Sequence, residues 1–132
     1  MVLAAHIFLL LFCSMAHSDS EWIIVFELGV VLALVEVEGW ELVVGSVKPS
    51  CILDLRTDLQ FGRGHLPKAR NLPYNQFQAD AEAASAGHEW VLLVDEGGAR
   101  AAEMAVWLRA RGVDARYLVG GMSAWRGGLE AE

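Results

Sequence analysis

The chain has 132 residues, which is room for one domain of ordinary size with an appendage, and 55% of them are hydrophobic, so part of the apolar content is expected to face lipid or a partner. Seventeen acids against ten bases give a formal charge of −7, with no basic stripe, and this excludes the electrostatic footprint of a nucleic-acid binder. Two cysteines (Cys13, Cys51) make no disulfide framework, and four scattered histidines (His6, His17, His65, His88) have no pair at ligand spacing, so neither metal nor cofactor is expected.

The charge is uneven: residues 1–47 hold six acids and no Lys or Arg, whereas the remainder sums to −1. Two apolar runs, residues 2–16 and 22–35, flank the polar patch His17-Ser18-Asp19-Ser20-Glu21. A bilayer span takes about 17 apolar residues at minimum, so the first run falls short, and the second is shorter still and carries Glu27. Three readings stand. A secretory signal would end at the small-x-small site Ser14-Met15-Ala16, although its start carries no positive charge, and would make the protein periplasmic or secreted. A membrane anchor would place the first cations, Lys48 and Arg56, on its carboxyl side, so that the domain faces the cytoplasm. A partner-covered or buried hydrophobic helix is the third. Residues 1–33 are taken as a hydrophobic helical segment, with the anchor as the leading reading and membrane association assigned to residues 1–35.

Beyond it, residues 34–38 (LVEVE) alternate apolar and acidic residues as a half-buried strand does. Residues 39–47 suit a short helix weakened by Val43, Val44 and Gly45, and Lys48-Pro49-Ser50 is a turn. CILDL at residues 51–55 reads as a buried strand. Thr57 caps a helical turn that Gly62 and Gly64 are expected to end. Residues 70–72 form a short strand segment, and residues 74–85, rich in Ala and Gln, suit a helix stopped by Gly87. VLLV at residues 91–94 is another buried strand. After the loop Asp95-Glu96-Gly97-Gly98-Ala99-Arg100, Ala101, Met104, Ala105 and Leu108 fall on one helical face. Arg109 and Arg111 suit the last turn of that helix, and Gly112 suits its C′ position. Residues 115–119 make a last strand, followed by Gly120-Gly121 and a short helix around residues 122–125. Strands and helices alternating through short connections predict an α/β domain whose parallel sheet is covered on both faces.

The loop at residues 95–100 lies where such a sheet gathers its chemistry. Its glycines let successive N–H groups turn inward, and the helix that follows adds its positive end, so the loop is a cradle for an anion. Three stretches, ILDLRTDLQFGRGHLPKARNLPY, VLLVDEGGARAAEMAVWLRARG and ARYLVGGMSAWRGG, resemble the rhodanese (sulfurtransferase) homology domain. They match its D-x-R…GH-x-P-x-A…N-x-P segment, its active-site loop and helix, and its L-x-GG-x-x-x-W ending, in order, over roughly residues 34–128, leaving residues 129–132 as a tail. The resemblance implies a three-layer fold with a central parallel sheet. It also implies a Cys-x-x-x-x-Arg loop whose cysteine carries sulfane sulfur as a persulfide. On this sequence the arginine is Arg100 and the loop glycine is Gly98, while Asp95 fills the cysteine's position. The six-residue span has the sulfurtransferase length; related phosphatases use one residue more.

A carboxylate can neither attack a thiosulfate-like donor nor hold the outer sulfur. It can sit in the cradle as a resident anion, hydrogen-bonded to loop N–H groups and paired with Arg100. Asp54 and Arg56 match the D-x-R pair and are expected to tie the loops around the pocket, with His65 as a hydrogen-bonded structural histidine rather than a base. Lys68 departs from the glycine often found between that proline and alanine, which either alters the turn or adds a cation near the pocket mouth. Cys51, at the start of its strand, reads as a small buried hydrophobe. Trp40, Trp90 and Trp107 are candidates for partial exposure, although aromatic residues are more often core than docking sites. The leading expectation is a catalytically inactive, membrane-associated binding or regulatory domain for a protein partner or a small anion. The alternative is a sulfurtransferase that borrows a cysteine from elsewhere or from a partner. Hydrolysis through Asp95 as a phosphate acceptor is a third class, needing Mg²⁺ and a second acid, for which Glu96 is the neighbour.

Overall fold

A computed structural model describes residues 35–131. The expectations for residues 1–34, including the hydrophobic N-terminal helix, the anchor and Cys13, lie outside the described residues. Among those described, no helix is long and apolar enough to cross a membrane.

The described chain is an α/β domain. Its elements in order are β1 (Glu36–Val37), α1 (Gly39–Val44), β2 (Cys51–Asp54), α2 (Asp58–Arg63), β3 (Arg70–Asn71), α3 (Tyr74–Ser85), β4 (Val91–Val94), α4 (Ala99–Arg109), β5 (Ala115–Leu118) and α5 (Gly121–Ala124). The strands form one sheet in the order β1-β5-β4-β2-β3, every pair parallel. In β4 all four residues are fully buried, as a central strand covered on both faces requires. Successive side chains take opposite faces. Leu92 and Val94 join Val37, Leu66, Trp90 and Leu118 in a core that Leu42 of α1 and Met122 of α5 close. On the other face Ala101, Met104, Ala105 and Leu108 of α4 are buried, as are Phe77 and Ala81 of α3. The two helices meet where the Phe77 ring packs edge-on to Trp107, with centroids 6.3 Å apart.

Several expectations need correction. The strand expected over residues 34–38 is only Glu36–Val37, because Glu38 already starts α1: its N–H donates to the Glu41 carboxylate at 2.8 Å. Gly62 does not end α2, which runs on to Arg63. A capping box between Thr57 and Gln60 fixes its start, and at its other end the Phe61 carbonyl accepts the Gly64 N–H at 3.2 Å and is met by His65 Nδ1 at 2.8 Å. Gly112 takes the expected C′ role just past Arg109 of α4: with φ 84 its N–H donates to the Arg109 carbonyl at 3.0 Å, and the Val113 N–H reaches back to the Leu108 carbonyl at 3.2 Å. Arg109 ends that helix as expected, and Arg111, just past it, donates to the Trp107 carbonyl at 3.1 Å while lying over the Trp107 ring at 3.6 Å. Trp90 is buried rather than partly exposed, whereas Trp40 is exposed. Residues 129–132, read as a tail, include Glu130, which exchanges two backbone hydrogen bonds of 2.9 Å with His65.

Candidate anion-cradle loop

Asp95 follows β4 directly, at the carboxyl edge of the sheet, and is only 6% exposed. One carboxylate oxygen accepts the Gly98 N–H and the other accepts the Arg100 N–H at 3.0 Å. Those amides belong to the first turn of α4, where N–H groups have no partner within the helix and the helix dipole is positive. The side chain thus fills the cradle from within. Gly98 makes the turn possible with φ 100, and a β-carbon there would sit 3.1 Å from the Gly120 nitrogen.

The main chain of the same loop is held from the other side. The Asp95 carbonyl accepts the Met122 N–H at 2.8 Å and the Glu96 carbonyl accepts the Ser123 N–H at 3.0 Å. Gly121, with φ 58, lies so close that a β-carbon would collide with both carbonyl oxygens. Gly120 and Gly121 therefore let α5 approach the loop.

Arg100 corrects one expectation. Its backbone N–H holds Asp95, but its guanidinium does not pair with that carboxylate; it lies over the Tyr74 ring, 4.7 Å from the centroid. Tyr74 in turn donates its hydroxyl to Glu103 at 3.0 Å, and that hydrogen bond, then burial, raises its pKa above the ordinary tyrosine value. Arg100, Tyr74 and Glu103 make a polar rim beside the loop. Glu96 and Ala99 are exposed at the mouth, as is Gly97 between them. The Glu96 carboxylate accepts from Ser123 Oγ at 3.3 Å and stands 3.8 Å from an Arg56 nitrogen. It is turned away from Asp95. Among the described residues no three His, Cys, Asp or Glu side chains converge as metal donors.

Asp54 and Arg56 form the support beneath. Asp54 is fully buried and takes the Arg56 guanidinium with two oxygens, through Nε at 3.0 Å and Nη2 at 2.8 Å. The same Nη2 donates to the Gly64 carbonyl at 2.7 Å, which joins the Gly64-His65 turn to β2. Such a buried pair is held by geometry, and losing either partner strands a charge. Asn71 was missed as a site residue. Its side-chain amide donates to the carbonyls of Asp54 (3.1 Å) and Arg56 (2.9 Å), clamping the β2 loop, and its signal was the N-x-P motif. His65 is buried, stacked on Phe61 with ring centroids 3.7 Å apart, and its Nε2 lies 3.9 Å from Glu130. It faces the turn and not the Asp95 carboxylate's hydrogen-bond partners. Cys51 is buried at the amino end of β2, its thiol toward the Ala84 carbonyl. Burial pushes its pKa up, with Arg70 pulling it partly back.

Comparison with known proteins agrees with this frame. The rhodanese-like domain family matches residues 40–127. A rhodanese-like domain protein from Staphylococcus aureus is 33% identical, with a TM-score of 0.65 over 74% of this chain and 97% of that one. A protein from Staphylococcus saprophyticus is 26% identical, with a TM-score of 0.63 over 72% and 97%. A thiosulfate sulfurtransferase from Pseudomonas aeruginosa, at 22% identity and a TM-score of 0.58, shares the fold over 68% of this chain but only 17% of its own. No curated protein matches the chain. With a family match over well more than half its length and a solved relative covered almost end to end, the chain belongs to the rhodanese-like domain family.

Proposed function

We propose that this is a catalytically silent rhodanese-like module, with Asp95 standing where the family's sulfur-carrying cysteine would be, and that it works by binding. The observation that carries the reading is the Asp95 carboxylate itself, which already occupies the two loop amides that a persulfide or substrate anion would use. A carboxylate oxygen is neither polarisable enough nor reducible in the way sulfur transfer demands. The remaining described thiol offers no substitute, since Cys51 is buried at the opposite end of its strand and its thiolate is disfavoured. Phosphate transfer through Asp95 is disfavoured too, because both its oxygens are engaged and Glu96 turns toward Arg56 and Ser123.

The binding face is the loop mouth, where exposed Glu96, Gly97, Ala99 and Arg100 surround the filled cradle. Its ligand is a protein partner or a small anion reaching the Arg100 guanidinium. The apolar residues 1–35 tether the domain to a membrane, and the first cations beyond them, Lys48 and Arg56, place it on the cytoplasmic side.

A thiosulfate:cyanide transferase assay on the purified chain tests the silence. The rate is expected to equal the no-enzyme blank; turnover well above it, abolished by Cys51→Ser, overturns the reading. Asp95→Cys is the matching gain-of-function arm. After thiosulfate treatment, the folded variant is expected to gain the mass of one sulfur atom on that residue, because the loop glycine and the Arg100 amide are already placed to hold a persulfide.

A further inference from the structure

A second concavity lies away from the loop. It has a volume of ≈ 550 Å³, inside the range of roughly 300–1,000 Å³ that ligand sites occupy, and it runs between α1, the turn before β2 and the segment after α5. Leu42, Val47, Leu66 and Trp125 form its apolar floor, and Lys48 and Lys68 stand on it. No acid lines it, although the chain carries 17 acids against 10 bases. Neither lysine ammonium has a carboxylate partner among the described residues. Glu130 is the acid nearest Lys68, where it accepts the backbone N–H at 3.2 Å, and it does not line the groove.

The backbone fixes where one of these lysines stands. Lys68 is the one non-glycine among the described residues with positive φ, at 65°. Glycine adopts that conformation freely, whereas a lysine pays a steric cost for it. The turn Leu66-Pro67-Lys68-Ala69 imposes it: the Ala69 N–H donates to the Leu66 carbonyl at 3.1 Å, and Lys68 stands third, after the proline, where a type II turn needs positive φ. The strained residue here is one of two cations over an apolar floor.

We infer that this groove binds a linear anionic amphiphile, an alkyl chain ending in a carboxylate. The floor takes the chain and the lysines take the head. A peptide fits less well, since its amides need partners. The groove's remaining polar side chain, Ser50, is already committed: its hydroxyl donates to the Trp90 carbonyl at 2.9 Å and accepts the Trp90 N–H at 3.3 Å. An inorganic anion would satisfy the lysines and leave the floor in water. The site is independent of the Asp95 reading, because none of residues 95–100 lines it and Ser50 precedes β2 at the sheet's other edge.

Calorimetric titration of the full chain with dodecanoate, kept below its micelle concentration, tests this. Saturable binding at one site is expected, weakened at least about tenfold in the Lys48→Glu/Lys68→Glu variant and for dodecyltrimethylammonium as the probe, since a charge-assisted contact is lost in each. Lys68→Gly is expected to split the readouts, raising Tm while weakening dodecanoate. Both lysines are exposed, so the fold should tolerate reversal; Lys48→Gln/Lys68→Gln serves if it does not. Absence of saturable heat, equal binding of the cationic chain, or indifference to the lysine changes each overturns the assignment. Vesicles of phosphatidylglycerol form the last arm: lysine-dependent binding to them without any binding of monomeric dodecanoate would give the patch to a lipid surface and overturn the proposal as well.

Discussion

Asp95 performs two jobs with two parts of itself. Its carboxylate closes the amino end of α4, and its carbonyl receives the Met122 N–H of α5. The backbone contact survives substitution, but the carboxylate does not. Asp95→Ala would leave the Gly98 and Arg100 amides without their acceptor at a helix start, where loss of a capping side chain costs about 0.5–2 kcal/mol. Chemical denaturation is expected to show a loss in that range, and hydrogen exchange of those two amides is expected to accelerate. Asp95→Asn should recover only part of it, because one oxygen is replaced by a group that itself donates. An unchanged midpoint in Asp95→Ala would mean that the cradle holds itself up without its resident anion. At this scale the sequence made Asp95 legible through its position in the loop. It did not reveal where the Arg100 side chain goes, because the Tyr74 ring that receives it lies 26 residues earlier in the chain and only the folded α3–α4 packing brings it near.

Between elements, the sequence spoke most clearly where one local signal was enough. The limits expected for α3 and β4 are those observed, the first from an Ala- and Gln-rich stretch bounded by Pro73 and Gly87, the second from an unbroken apolar run. Misreadings came where two elements compete for one residue, as Glu38 leaves β1 to begin α1, or where capping contacts at both ends carry a short helix through Gly62. The join from α4 to β5 was not legible at all. Asp114 accepts Arg109 Nη1 at 2.9 Å and Arg116 Nη2 at 3.0 Å, clipping the end of the helix to the start of the strand. These contacts, led by the Arg116 hydrogen bond, hold the Asp114 pKa below the ordinary carboxylate value. A carboxyl lowered by folding contributes stability above its unfolded pKa of about 3.9 and loses it as pH falls through the folded value. Asp114→Asn is therefore expected to lower stability at neutral pH by less than about 1 kcal/mol, since the pair is half in water. Its stability should also fall less steeply than the parent's below about pH 4. Parallel acid limbs in the two proteins would show that the clip carries no linkage.

For the whole molecule, the alternation of strands and helices predicted a parallel α/β sheet, and the motif order placed the chain in its family; the lysine-lined groove stayed hidden because its walls come from α1, the Leu66 turn and Trp125, segments that no motif connects. The same fold also bears on residues 1–35. The described domain buries its apolar sheet faces with its own helices, and α1 leaves Trp40, Val43 and Val44 in the open, at 58%, 60% and 66% exposure. The two staphylococcal relatives are matched over 97% of their own length while covering about three quarters of this chain, so the apolar amino-terminal residues are surplus to the frame they share. A domain complete in that sense should not need them to fold. If they are a tether, cells making the full chain should yield it in the membrane pellet. A version lacking residues 1–34, which keeps the buried Val35, should then move to the soluble fraction with its thermal transition intact. High-salt and carbonate washes separate a tether from a surface charge effect, because an apolar contact resists both. A truncated chain that stays in the pellet while folded would place the membrane contact on the domain itself, with the exposed face of α1 as the first surface to mutate. A truncated chain that unfolds would make the amino-terminal residues part of the core, and the tether would be lost with that result.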